Sequence, residues 1–450
     1  MAQLSKRLDM TEGDIPQLII SFSLPLLLGT LFQQLYNMVD AWVVGNFVSN
    51  EAFSAVGTLG PITNLFIGMS LGLGNGTSVV IAQNSGAKRK DIVSKTVHTA
   101  IVATFILSIL LTLLGIVMIP SFLSWMSVPE DVYQYSYTYL YIYFLGIGGL
   151  IFYNIGSAIL RGIGDSKRPF YFLATSAIIN ILGDLILVLY FGMGVEGVAL
   201  ATVVAQAISA ILVLISLFSS EGSERLILKE LHLDLRILKQ ILVIGIPSAI
   251  QRMIIAFSNI FVQGYVNHFG SATMGGWSAY NKVDAFIFMP MQSLAMAMTT
   301  FVGQNIGVNN EDRAKIGVKV GRLLALLSTI VVCIPVVIFA PQIVAFFNQN
   351  GDVIRYGSLF LRCNTPLYIL CCSNQILAGA LRGAGNSKMP MIIMIFCFVV
   401  FRQFYLFVVT NYIANTQLLV ALSYPAGWLL CSLILTSYYH FYGFGKNHLG

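Results

Sequence analysis

The sequence predicts an all-α polytopic membrane protein, with twelve transmembrane helices in two six-helix lobes related as parallel repeats. Three observations predict it. The 450 residues are 57% hydrophobic and only 10% charged, against about 25% charged in a soluble globular chain; mean hydropathy is +0.80. Apolar runs of membrane-spanning length recur throughout, each with the roughly 20 residues that cross about 30 Å of hydrocarbon. Finally, LRGIGDSKRP (160–169) returns as LRGAGNSKMP (381–390), seven of ten positions identical at an offset of 221.

The twelve runs fall near 16–44, 52–82, 95–119, 133–158, 169–190, 196–218, 238–265, 275–302, 318–340, 355–379, 390–410 and 417–441. Basic residues test this count. Lys6 and Arg7 precede segment 1. Lys88, Arg89, Lys90 and Lys95 lie between segments 2 and 3. Arg161, Lys167 and Arg168 lie between 4 and 5, and Arg225, Lys229, Arg236 and Lys239 between 6 and 7. Arg313, Lys315, Lys319 and Arg322 follow segment 8, Arg382 and Lys388 follow segment 10, and Lys446 ends the series. Loops 1–2, 3–4, 5–6, 7–8 and 11–12 hold no Lys or Arg, and the 9–10 connection has Arg355 at its end. By the positive-inside rule both termini are cytoplasmic and the protein lies in a cytoplasmic membrane. The N-terminus has no short apolar core with a small-residue cleavage site, so the first helix is expected to stay uncleaved.

The repeat extends past the decapeptide. Gln83-Asn84-x-Gly86 matches Gln304-Asn305-x-Gly307 at the same offset, Asp91 matches Asp312, and Pro25 matches Pro247 one residue out of register. Six helices per half start both halves on the same side, which makes the repeats parallel. The domains are then 1–218 (N-lobe), a cytoplasmic linker 219–237, and 238–450 (C-lobe). The linker mixes Leu and Ile with both charge signs, and a short interfacial amphipathic helix is expected there.

Several motifs carry no chemistry. Gly68-x-Ser70-x-Gly72 fits a hydrolase elbow but sits inside an apolar helix, where Gly68, Gly72 and Gly76 form one smooth packing face. No phosphate-binding loop of the G-x-x-x-x-G-K-[ST] kind occurs, so ATP is not the energy source within this chain. The six cysteines, all in the second half, read as small packed hydrophobes, and the five histidines lack metal-ligand spacing. No cofactor is expected.

Polar groups inside the apolar runs are the informative residues. Segment 1 carries Gln33, Asn37 and Asp40 on one face, with Gln34 and Tyr36 beside them. Segment 5 carries Asn180 and Asp184, and segment 6 carries Thr202 and Gln206, each pair at i, i+4. Asp40, Asp184 and Thr202 lie about four to seven residues from the outer ends of their helices, roughly 6–10 Å down. A carboxylate in a membrane helix costs about 2.5–3.5 kcal/mol and usually faces a polar interior. Two acids brought together there hold a proton or share a hard cation such as Na⁺, for which oxygen ligands are suited. Asp40, Asp184 and Thr202 thus offer oxygen ligands at one level from three helices, with Asn180 one turn from Asp184. A charge crossing 100 mV delivers about 2.3 kcal/mol, enough to drive export. The alternative is a purely structural acid pair capped by Asn or Thr.

The second half differs. Arg402 stands where the first half has Ile181, segment 7 has Arg252, and segment 8 has Lys282 and Asp284. Asp284 is expected either to pair with Lys282 or an Arg, or to join a charge-compensated substrate wall, with Met289 and Gln292 nearby, or a second proton relay.

These features together resemble the multidrug and toxic compound extrusion family: Pro25 and Asp40, the two Gln-Asn-x-Gly motifs, both LRGxGxSKxP copies, and Asn180-x-x-x-Asp184. The resemblance spans nearly the whole chain. It implies a secondary antiporter, not an enzyme, that exports drugs and organic cations against Na⁺ or H⁺ by rocker-type alternating access. It implies that Asp40, Asn180, Asp184 and Thr202 form the N-lobe cation site and that Pro25 lets helix 1 bend. Members with an acidic pair in helices 7 and 10 differ from this chain, which offers Gln251, Arg252, Asn374 and Gln375 there. Small amphipathic or cationic substrates and membrane lipid are the expected partners, with no nucleic acid, and a monomer is expected. The rival reading is a flippase for a lipid-linked saccharide or another amphiphile. A non-transporting intramembrane hydrolase or receptor lacks a catalytic constellation or a soluble domain to support it.

Overall fold

The computed structural model describes residues 7–445 except 50, 51, 53, 54, 58 and 127. Lys6, Lys446 and His448 lie outside the described residues. We number the helices α1 (Ile15–Phe47), α2 (Gly60–Gly86), α3 (Lys90–Trp125), α4 (Glu130–Gly162), α5 (Lys167–Tyr190) and α6 (Val195–Phe218). The second series is α7 (Leu235–Asn267), α8 (Ser271–Gly307), α9 (Glu311–Ile338), α10 (Gly351–Asn364 and Tyr368–Gly383), α11 (Lys388–Ile413) and α12 (Gln417–Tyr442). Eleven helices among the described residues are long and apolar enough to cross a membrane. The missing one is α10, which is interrupted by a 3₁₀ turn at Thr365–Leu367. Pro366 accounts for the break, because it removes a backbone donor and crowds the preceding turn.

The chain forms two compact units. Unit 1 comprises 1–9 and 24–249, and unit 2 comprises 10–23 and 250–450. The change of unit falls inside α1, one residue before Pro25, and inside α7, shortly after Pro247. In unit 1, α4 packs against α2, α3 and α6, and α5 packs on α6. Gly72 and Gly76 of α2 permit close approach to α7: a Cβ on Gly72 would stand 2.6 Å from the Ala249 nitrogen, and one on Gly76 would strike the Ile241 carbonyl. Two of the three glycines of that face, Gly72 and Gly76, take the packing role expected of them. In unit 2, α8 packs against α9 and both parts of α10, and α12 packs against α10 and α11.

The sequence repeat is a repeat of turns. Gly164 and Gly385 have φ of +90° and +91°, a left-handed region open chiefly to glycine. Each follows a helix end. Asp165 N–H donates to the Leu160 carbonyl and Asn386 N–H to the Leu381 carbonyl, both at 2.9 Å. Lys88 and Asn309, also 221 apart, share φ of +56°. Arg89 N–H reaches the Asn84 carbonyl and Asn310 N–H the Asn305 carbonyl, again at 2.9 Å.

Two expectations need correction. The linker forms no amphipathic helix; between Phe218 and Leu235 there is only a 3₁₀ turn at Leu228–Glu230. It is anchored locally instead: His98 Nε2 accepts from Ile227 N–H at 3.0 Å and Thr99 Oγ1 from Asp234 N–H at 3.2 Å. Asp284 pairs with neither Lys282 nor an Arg. It accepts from the Tyr368 hydroxyl, while the Lys282 ammonium lies 5.1 Å from the Phe347 ring centre. The side-chain directions on neighbouring helices decide these partners, and spacing along one helix does not reveal them.

Candidate functional site

The site lies in unit 1, at matching depths on three helices. Asp40 is seven residues before the end of α1, Asp184 six before the end of α5, and Thr202 seven after the start of α6. At 1.5 Å per residue each is about 10 Å from its helix end. Asp184 ends the α-helical part of α5, and Leu185–Tyr190 continues as a π-helical turn. Such turns are frequent at functional sites because they rotate side chains off the regular 3.6 spacing.

The structure brings the four expected residues together. Asp184 is fully buried, Asn180 is 1% exposed, Thr202 8% and Asp40 9%. The Asp40 carboxyl faces Asp184 and Asn180. Asn180 Nδ2 donates to Thr202 Oγ1 at 3.4 Å. That bond turns the amide oxygen away from Thr202. The result is a set of buried oxygens with no hydrogen-bond partner: Asp40 Oδ1, Asn180 Oδ1, and both Asp184 oxygens. Neither acid takes part in an ion pair among the described residues. Two facing carboxylates in a dry interior repel unless a proton or cation neutralises one. The donor set is entirely oxygen, which fits a hard monovalent cation or a proton. No cluster of three His, Cys, Asp or Glu occurs among the described residues, so a transition-metal site of that kind does not compete.

Sequence reasoning missed the contribution of α4. Tyr139 lies near Asp40 and Asp184, and Tyr36 of α1 sits against Asp40 and Gln33. Tyr139 stacks on Tyr143 with ring centres 6.5 Å apart and planes at 10°, and the buried Tyr143 hydroxyl has no partner. The signal was available as a Tyr pair at i, i+4 in a run with Tyr at every second position from 133 to 143.

The remaining expected residues do not all converge. Gln33 joins Tyr36 at the acid pair. Asn37 turns outward and donates to Gln34 at 3.5 Å. Gln206, one turn along α6 from Thr202, has a buried unpartnered Oε1. Pro25 lies within an unbroken α1. Asp284, Met289 and Gln292 belong to unit 2: Asp284 is bound by Tyr368, Met289 is buried, and Gln292 is exposed.

Comparison with known proteins agrees with this architecture. The MatE family model matches residues 25–186 and again 247–408, so each half of the duplication carries one copy. A relative named probable multidrug resistance protein YoeA, from Bacillus subtilis (strain 168), is 30% identical over 429 residues, covering 93% of this chain and 92% of the relative. An FAD transporter from Shewanella oneidensis is 23% identical over 372 residues, with 80% of each chain covered. Among solved structures, the outward-facing conformation of a multidrug resistance MATE family transporter of the MOP superfamily matches with a TM-score of 0.91 at 23% identity, covering 97% of this chain and 98% of that one. That match places the twelve helices in the two-lobe MATE fold. The matches in both halves, over nearly the full length, make this chain a member of the MatE family, a multi-pass membrane transporter rather than an enzyme.

Proposed function

We propose that the protein is a secondary antiporter that exports small amphipathic or cationic compounds in exchange for Na⁺ or H⁺, with Asp40, Asn180, Asp184 and Thr202 as the coupling site. The observation that carries this reading is the group of buried, unpartnered oxygens on Asp40, Asn180 and Asp184. The names of multidrug relatives support the substrate class. Ion entry from outside neutralises the acid pair, and the relief of carboxylate repulsion favours a packed arrangement around it. Substrate binding and ion binding then favour different states, which is the thermodynamic requirement for exchange. Pro25, without a backbone donor, is the point at which α1 bends between those states. The distribution of Lys and Arg supports cytoplasmic termini.

A second reading is a flippase or exporter of an amphiphile bearing an anionic group, such as a lipid-linked saccharide. It is favoured by Arg252 and Arg382 of unit 2, which lie close enough to repel and form no ion pair among the described residues. One relative is named for FAD, a phosphate-bearing cargo.

The test is export of a fluorescent organic cation from vesicles under a Na⁺ gradient or a pH gradient applied separately. One gradient drives export, and Asp184→Asn abolishes it while the protein remains in the membrane. Movement of an anionic amphiphile with no movement of the cation would favour the second reading.

A further inference from the structure

Unit 2 contains a half-buried acid that the N-lobe site leaves without a role. Asp284 projects from α8, and its Oδ1 accepts a hydrogen bond from the Tyr368 hydroxyl of α10. The Tyr368 oxygen stands 3.1 Å from the Tyr280 hydroxyl. Tyr280 and Tyr368 are 1% and 0% exposed. Beside Tyr280 lies Asn364, fully buried, with neither its amide nitrogen nor its oxygen partnered. Asn364 is the last residue before the 3₁₀ turn Thr365–Leu367 that breaks α10, and the buried Thr365 hydroxyl is also unpartnered. One acid is thus connected through two phenols to the interruption of a membrane helix.

We propose that Asp284 is a proton-binding site of the C-lobe, linked through Tyr368 and Tyr280 to the break in α10. As a carboxylate, Asp284 only accepts, and Tyr368 must donate toward it. Once protonated on a carboxyl oxygen, Asp284 donates to the Tyr368 oxygen. Tyr368 is then free to donate to Tyr280, and Tyr280 to the Asn364 oxygen. One proton taken up at Asp284 therefore reverses the hydrogen bonds along the row. It satisfies an acceptor at the break that otherwise has none. Interrupted helices are where membrane transporters place ion-sensitive backbone, and a buried polar chain gains most when every member is paired.

The surroundings favour a proton over a metal cation. Among the described residues no other carboxylate faces Asp284. From α10 it meets Tyr368 and, nearby, Cys371; from α12, Tyr424. Arg402 of α11 lies beyond Tyr424, with its guanidinium 4.6 Å from that ring and its Nη2 donating to Ser258 Oγ and Asn259 Oδ1 at 2.7 and 2.9 Å. Lys282, on the same helix as Asp284, is turned to Phe347. No cluster of three His, Cys, Asp or Glu surrounds the site among the described residues.

Tryptophan fluorescence tests this without any transport assay. The chain has four tryptophans, at 42, 125, 277 and 428. Trp277 lies 4.8 Å from the Tyr280 ring and Trp428 4.6 Å from the Tyr368 ring. In purified full-length protein with Trp42→Phe and Trp125→Phe, emission is titrated with pH at fixed Na⁺, then with Na⁺ at fixed pH. A one-proton transition is expected. Asp284→Asn abolishes it, Tyr368→Phe displaces its midpoint, and Asp184→Asn leaves it in place. The last result keeps the inference separate from the N-lobe reading. If Asp284→Asn does not fold, Asp284→Glu, which keeps the acid, displaces the midpoint. Emission indifferent to pH, a transition that survives Asp284→Asn or is unmoved by Asp284→Glu, or a response to Na⁺ at constant pH would each overturn the proposal.

Discussion

The two halves of the chain share their turns and differ in their buried polar groups. Gly164 and Gly385, or Lys88 and Asn309, hold the same φ within one degree at an offset of 221 residues. Inside the membrane the same offset sets Asn180 against Phe401, Asp184 against Tyr405, and Ile181 against Arg402. The difference has a physical basis. A tight turn needs particular residues, because left-handed φ is costly for most side chains. A membrane helix satisfies its own backbone whatever side chains it carries. Duplicated helices can therefore acquire an acid pair in one unit and an acid linked to phenols, with a separate arginine, in the other without altering the frame.

The largest expected effect is at the acid pair. Asp40→Asn and Asp184→Asn each abolish ion-driven export, a loss beyond the roughly 5–150-fold range of typical coupling energies. Arg402→Met, in the other half, leaves ion dependence intact in the same vesicle assay. Near-normal export in both aspartate variants would break the contrast between the units.

The shared turns come next. Gly164→Ala and Gly385→Ala each destabilise by about 1–3 kcal/mol, the usual cost of a sparsely populated backbone conformation. Thermal unfolding in detergent measures this. Gly164→Ala carries an added cost, because its Cβ would also strike the Leu8 carbonyl. Equal tolerance of alanine at both sites would mean that the repeat preserves sequence without a backbone requirement.

A smaller effect distinguishes the tyrosines near the acid pair. The Tyr143 hydroxyl is buried and unpartnered, so Tyr143→Phe is neutral or stabilises by up to about 1 kcal/mol. Tyr139→Phe, next to both acids, changes ion dependence instead. Unfolding and ion titration on the same two proteins separate these outcomes.

The smallest effect is at the exposed start of α7. Asp234 Oδ1 accepts from Arg236 N–H at 2.8 Å and Ile237 N–H at 3.2 Å. These backbone donors hold its carboxyl below the usual carboxylate range. A depressed folded value stabilises the fold above the ordinary value of about 3.9, and that contribution disappears as pH falls through the folded value. Asp234→Asn therefore lowers stability slightly at neutral pH, with the difference vanishing in acid. Melting curves at the two pH values check the sign.

Much of this was legible in the sequence, for identifiable reasons. Hydrophobic runs mark membrane helices because burial in lipid demands apolar side chains. Their ends were underestimated: α3 runs from Lys90 to Trp125 where the apolar run spans 95–119, and α8 from Ser271 to Gly307 where it spans 275–302. Helices continue past the hydrocarbon, so an apolar run measures only their middle. Asp40, Asp184 and Thr202 were found because their depth along known helix directions is arithmetic, and Asn180 because it lies one turn before Asp184. Tyr139 and the Tyr368–Asp284 bond were missed because both depend on which helices are neighbours and how they are rotated. The break in α10 had a local signal, Pro366, that an apolar count passes over. The linker mixes charges and aliphatics as an interfacial helix does, yet two of its backbone donors, Ile227 N–H and Asp234 N–H, are taken by His98 and Thr99.

The most direct test of the N-lobe coupling site is displacement of bound substrate by the ion. A fluorescent organic cation is bound to purified protein, then titrated with Na⁺ at constant pH and with acid at constant Na⁺. The coupling ion is predicted to release the substrate from the unmodified protein and from Asp284→Asn, and to fail to release it from Asp40→Asn and Asp184→Asn. Undiminished release from both N-lobe variants would contradict the account.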